Sequence, residues 1–126
     1  MQEKGARKGI YVPVYCPYCG QCLNIKGDQI RLGIQHRDDH GLIYLSAILD
    51  DFSKRLELID IPEGDTVVLS CPKHGCGSIL NIDRTCPRCN ARQVSLFARY
   101  VSGDAPIFIC SRVGCNWHEI KAEKLV

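Results

Sequence analysis

At 126 residues the chain has room for one ordinary domain or two very small ones. Its 24% charged and 45% hydrophobic residues are near globular averages, which argues against a disordered chain, and the absence of an apolar run of about 18 residues argues against a membrane span. The formal charge of +2 counts the thiols as neutral, an assumption that nine cysteines make important.

In chain order, residues 1–9 are polar and basic and lack the apolar stretch of a secretory leader, so 1–12 read as a flexible tail of a cytoplasmic protein. In a reducing compartment clustered cysteines serve as metal ligands more often than as disulfides, and an odd number of them argues against full pairing. The first pair, Cys16 and Cys19, is followed by a lone Cys22. Residues 29–35 alternate apolar and polar side chains as a half-buried strand does, and 38–41 (Asp-Asp-His-Gly) have hairpin-turn composition. Residues 42–49 form a β-rich run whose letters also suit a short helix, 50–55 a polar connection, and 61–65 a turn. A strand at 66–70 delivers Cys71, which pairs with Cys76. Beyond Cys86 and Cys89, a strand at 93–101, a turn at 102–106 and a strand at 107–109 lead to Cys110 and Cys115.

Eight of the nine cysteines thus follow a repeated order, C-x2-C then C-x4-C, with inserts of 51 and 20 residues. Each second cysteine precedes Gly20, Gly77, Asn90 or Asn116, residue types that accept a left-handed backbone. Three of the first cysteines precede a proline, Pro17, Pro72 or Pro87, which presets a turn. Cys22 fits neither rule, and a small buried apolar role is the common fate of such a residue. Four thiolates in a tetrahedron are what a structural zinc ion takes, and in peptides such a site contributes about 10–16 kcal/mol to folding. Two of them would turn the formal +2 into −2, removing much of the apparent basicity.

Cys16-Pro17-Tyr18-Cys19-Gly20 resembles the rubredoxin-like knuckle of the zinc-ribbon superfamily in full, and Cys86-Pro87-Arg88-Cys89 resembles it with Asn90 in the glycine place. The C-x4-C knuckles are two residues longer than that form. The resemblance implies a mainly β protein of two zinc-ribbon units, 13–82 with a long β-rich insert and 83–126, binding two zinc ions per chain. The ribbon-plus-insert layout is also similar to small zinc-binding subunits of multi-subunit enzymes such as acetone-carboxylase-type complexes, which implies a larger protein subunit as partner. Expected ligands are Cys16, Cys19, Cys71 and Cys76 for one ion and Cys86, Cys89, Cys110 and Cys115 for the other. A nested arrangement joining Cys71/Cys76 to Cys86/Cys89 is the alternative pairing.

Other chemistries compete. Cys16, Cys19 and Cys22 form a C-x2-C-x2-C run of the kind iron–sulfur proteins use, with Cys71 as a distant fourth ligand; a rubredoxin-like electron carrier is the related alternative. His74 and His118 lie in or near knuckles, while His36 and His40 flank the expected hairpin turn and read as solvated. Lys73, Arg84, Arg88, Arg92, Arg99 and Arg112 could form a basic face for RNA or DNA, although aromatic interleaving is thin along the chain. No catalytic triad, phosphate loop or zinc-protease motif is visible, and four thiolates leave no open coordination position, so a non-catalytic binding module is expected. Its docking surface is expected in 41–58, where Tyr44 and Phe52 are candidates for exposure.

Overall fold

The computed structural model describes residues 13–25, 28–47, 54–100 and 103–120; the expected tail at 1–12 lies outside them. Every element in the described residues is a strand: β1 (Val14–Tyr15), β2 (Asn24–Ile25), β3 (Gln29–His36), β4 (Asp39–Ser46), β5 (Lys54–Glu57), β6 (Val68–Ser70), β7 (Asn81–Thr85), β8 (Arg92–Tyr100), β9 (Gly103–Cys110) and β10 (His118–Ile120). They form two antiparallel sheets. Among the described residues no helix is long and apolar enough to cross a membrane.

Both sheets follow one plan. Three strands run as a meander, β3-β4-β5 in one sheet and β8-β9-β10 in the other. Two short strands then share the free edge of the first long strand: β2 and β6 along β3, β1 and β7 along β8. The alternation in β3 buries Ile30, Leu32 and Ile34, and the matching row in β8 buries Val94, Leu96 and Ala98. These rows meet in a single apolar cluster to which both sheets contribute, joined by Leu23, Leu69, Leu80 and Ile107.

The short strands lace the sheets together. β1 pairs with β8, Val14 opposite Ala98, whereas β2, just past the first knuckle, pairs with β3. β6 pairs with β3, whereas β7, just past the next knuckle, pairs with β8. The chain therefore changes sheet at Cys16–Cys19 and again at Cys71–Cys76.

Several local expectations shift. The β3–β4 turn is Arg37-Asp38, closed by the pairing of His36 with Asp39, so it shares only Asp38 with the Asp-Asp-His-Gly stretch expected to form it. Arg37 sits there at φ 57°, a left-handed conformation that costs a non-glycine residue roughly 1–2 kcal/mol. Gly41 serves a different purpose: a Cβ there would come within 2.6 Å of the Glu57 carbonyl and the Ile59 side chain. Lys54 and Arg55, expected in a connection, belong to β5. Asp104, Ala105 and Pro106, expected in a turn, belong to β9, and residues 101–102 lie outside the described residues.

Tyr44 is buried at 8% exposure rather than available for docking. Its hydroxyl donates to Glu57 Oε1 at 2.7 Å, and the Arg55 guanidinium lies 4.0 Å from its ring centroid. Ile43 is buried, and Leu45 and Leu56 pack on the core, so these insert residues mostly build the protein's own interior. Ile48, Leu49 and Phe52 lie outside the described residues.

Candidate metal centres

Eight cysteines converge into two groups, Cys16/Cys19/Cys71/Cys76 and Cys86/Cys89/Cys110/Cys115, with the sulfurs of each group all within 4.8 Å of one another. This is the sequential grouping. The nested alternative is opposed by β7, which joins the two groups as five extended residues, a span of about 17 Å. In the first group Cys16 Sγ lies 3.9 Å from Cys76 Sγ, and Cys19 Sγ lies 3.8 Å from Cys71 Sγ. In the second, Cys86–Cys115 is 3.9 Å and Cys89–Cys110 is 3.3 Å. A tetrahedral ion with metal–sulfur bonds near 2.3 Å has a sulfur–sulfur edge of about 3.8 Å. Three of the four distances match that edge and one is tighter, so each group suits a single four-coordinate ion.

The knuckles owe their form to repeated backbone bonds. In each C-x2-C knuckle the residue after the second cysteine donates to the carbonyl of the first: Gly20 to Cys16 at 3.0 Å, Asn90 to Cys86 at 2.8 Å. Amides also point at sulfur, with Tyr18 donating to Cys16 Sγ at 3.4 Å and Arg88 to Cys86 Sγ at 3.3 Å. Gly20 and Asn90 adopt φ of 76° and 72°, as the sequence rule requires. In the C-x4-C knuckles the extra residues form a β-turn. Cys76 N–H donates to the Lys73 carbonyl and Cys115 N–H to the Arg112 carbonyl, with Gly75 at φ 87° and Gly114 at φ 95° in the third turn position. Gly77 is left-handed as expected, but Asn116 is not, although Gly75 and Gly114 hold the same turn position in the two knuckles. The glycine at the same place in both longer knuckles was readable in the sequence and marks this turn.

The two centres have different surroundings. Cys16 and Cys71 are part of the main apolar core, and Cys76 packs against it. The second group forms a satellite cluster with Ala91 and Trp117. Burial pushes the Cys71 thiol up to about 12, and it also raises Cys110 and Cys115. Cys76 is lowered to about 6, first by the Ser78 hydroxyl at 3.4 Å and then by the Ser78 amide. For Cys89 burial opposes ionisation, but the Ala91 amide and the Arg112 guanidinium outweigh it and bring the thiol to about 6. Arg112 is itself raised by this contact with Cys89. Each group thus has one thiol that ionises readily and at least one whose charge is costly until a cation shares it.

Cys22 joins neither group. It is exposed rather than buried, with its thiol 3.5 Å from Asn24 Oδ1, so the C-x2-C-x2-C run does not gather in space. His74 and His118 are also outside both groups. His36, expected to be solvated, is mostly buried and lies 2.8 Å from Asp65 Oδ2. The arginines named for a basic face are divided. Arg84 and Arg99 lie over the rings of Phe108 and Tyr15, while Arg92 and Arg112 border a cleft beside the second metal centre. No family model, curated protein or solved structure matches this chain.

Proposed function

We propose that the chain is a non-catalytic double zinc-ribbon protein that acts as a binding module, an accessory subunit of a larger protein assembly. The observation that carries this reading is the composition of the two centres: four thiols at tetrahedral spacing fill an ion's coordination and leave no place for water or substrate. Zinc suits such sites because it is redox-inert and takes tetrahedral thiolate ligands. A polynuclear iron–sulfur cluster would distribute its cysteines over separate iron atoms, whereas these sulfurs lie at the spacing of one ion.

Exposed apolar side chains beside the first centre support docking. Tyr18 within the first knuckle is 59% exposed, and Ile79 just past the next is 60% exposed. Metal analysis of anaerobically purified protein should give about two zinc and negligible iron per chain. Affinity purification from native lysate should retain a protein partner, and Tyr18→Asp with Ile79→Asp should release it without altering zinc content. Iron in the sites, a single ion per chain, or partner retention indifferent to both substitutions would refute the corresponding part of the reading.

A further inference from the structure

A cleft of about 490 Å³ lies where the β3–β4 hairpin tip, β6, the start of β7 and the second metal centre come together. Arg37, Arg92 and Arg112 line it from three separate segments, together with the amide residues Gln35, Asn81 and Asn90. Among the described residues no carboxylate lines it. We propose that this cleft binds a phosphate-bearing ligand of about nucleotide size, a site separate from the metal centres and from the exposed apolar residues of the docking reading.

The three guanidiniums have different degrees of freedom. Arg112 is committed: it donates to the Gly64 carbonyl at 2.6 Å and contacts Cys89, offsetting thiolate charge behind the cleft wall. Arg92 has an acidic neighbour, Asp83 at 3.5 Å, but both side chains are largely exposed, so that pair is weak and exchangeable. Arg37 stands at the hairpin tip in a left-handed conformation, and Gln35 Nε2 donates to its carbonyl at 3.1 Å. Two-residue hairpin loops favour Asn, Asp and Gly at left-handed positions, so an arginine here is opposed by turn chemistry. A strained backbone held by its surroundings points to a role for the side chain it presents. Planar forks of N–H donors match phosphate oxygens. Asn81 is held by the Leu69 amide and the Val67 carbonyl and shapes the wall, which leaves Asn90 and the Gln35 amide oxygen to bond the rest of a nucleotide. The volume falls within the range of small-molecule sites.

A free nucleotide and a nucleotide unit of a single strand share this chemistry. The test is fluorescence anisotropy on the zinc-loaded chain with two probes, a labelled nucleoside triphosphate and a labelled short single-stranded oligonucleotide. At least one should bind, more weakly as salt rises, and lose roughly tenfold or more in affinity in Arg37→Gly/Arg92→Ala. Arg84→Ala/Arg99→Ala, which removes the same two positive charges outside the cleft, and Arg99→Ala alone should leave binding unchanged. Binding of the triphosphate identifies a free ligand, and binding of the oligonucleotide alone identifies a strand. Arg37→Gly by itself should keep or raise the melting temperature while weakening binding, a combination that a purely structural arginine would not give. If neither probe binds, or if Arg84→Ala/Arg99→Ala or Arg99→Ala weakens binding as much as the cleft variant, the proposal is overturned, while zinc content and partner retention still judge the docking reading separately.

Discussion

Cys76 and Ser78 show how a single side chain prepares a metal centre. The Ser78 hydroxyl and amide bring the Cys76 thiol to about 6, whereas the ordinary value is 9.0. In the metal-free chain at pH 7 Cys76 is therefore mostly thiolate, while an unperturbed thiol would be ionised to roughly one part in a hundred. Iodoacetamide should modify Cys76 and Cys89 ahead of Cys71 and Cys110 in chelator-treated protein, as read by peptide mass spectrometry. Ser78→Ala moves the Cys76 value up toward its ordinary range, so its alkylation at pH 7 should slow by about an order of magnitude and recover as pH is raised. Cys22, exposed and outside both groups, supplies the internal comparison. Cys22→Ser should retain both ions and shift the melting temperature by no more than a degree or two, consistent with about 0.5 kcal/mol or less for a surface change. Loss of one ion in that variant would make Cys22 a ligand.

At the scale of the element, the knuckles were the most legible part of the chain. Ligand spacing and turn residues are local properties, and Gly20, Gly77 and Asn90 adopt the backbone their types favour. Asn116 shows the limit of that rule, since it is not left-handed although Gly77 at the same place in the other long knuckle is. The hairpin turn at 37–38 was not legible, because Arg-Asp is poor turn chemistry and Asp-Asp-His-Gly is good. Cross-strand pairing over the whole length of β3 and β4 sets the register instead. Gly75 and Gly41 make the two uses of glycine separable by experiment. Gly75 is left-handed with open space around it, so Gly75→Ala should cost about 1–2 kcal/mol from the backbone alone, and Gly75→Asn should recover part of it. Gly41 has no such backbone demand, but any side chain there meets β5 and Ile59, so Gly41→Asn should be worse than Gly41→Ala. Thermal melts of the four variants would decide, and a shared order at both positions would contradict the distinction.

For the whole molecule, the β-rich class and the grouping of the thiols followed from sequence, but the lacing of the sheets did not. β1 and β2 are two residues each, too short for a periodicity, and their partners are set by the distant β8 and β3. The consequence for stability is an unequal pair of centres. The first lies where the chain crosses between sheets and shares the main core; the second sits in a satellite cluster around the single Trp117. Cys71→Ser should therefore unfold both sheets together, seen as loss of the far-ultraviolet β signal. Cys115→Ser should change the Trp117 emission while leaving most of that signal intact. Equal loss of β structure in the two variants would show the centres to be equivalent. The crossed strands also govern the order of manufacture. As the chain leaves the ribosome, Cys16 and Cys19 precede the other thiols, yet their group lacks its fourth thiol until Cys76 appears, and β1 lacks its neighbour until Ala98 follows. The second group has all four thiols within residues 86–115, which emerge together and after the first group is complete. A segment made early is thus secured late, and a chain cut short before β8 exposes its first thiol pair without the strand that β1 requires.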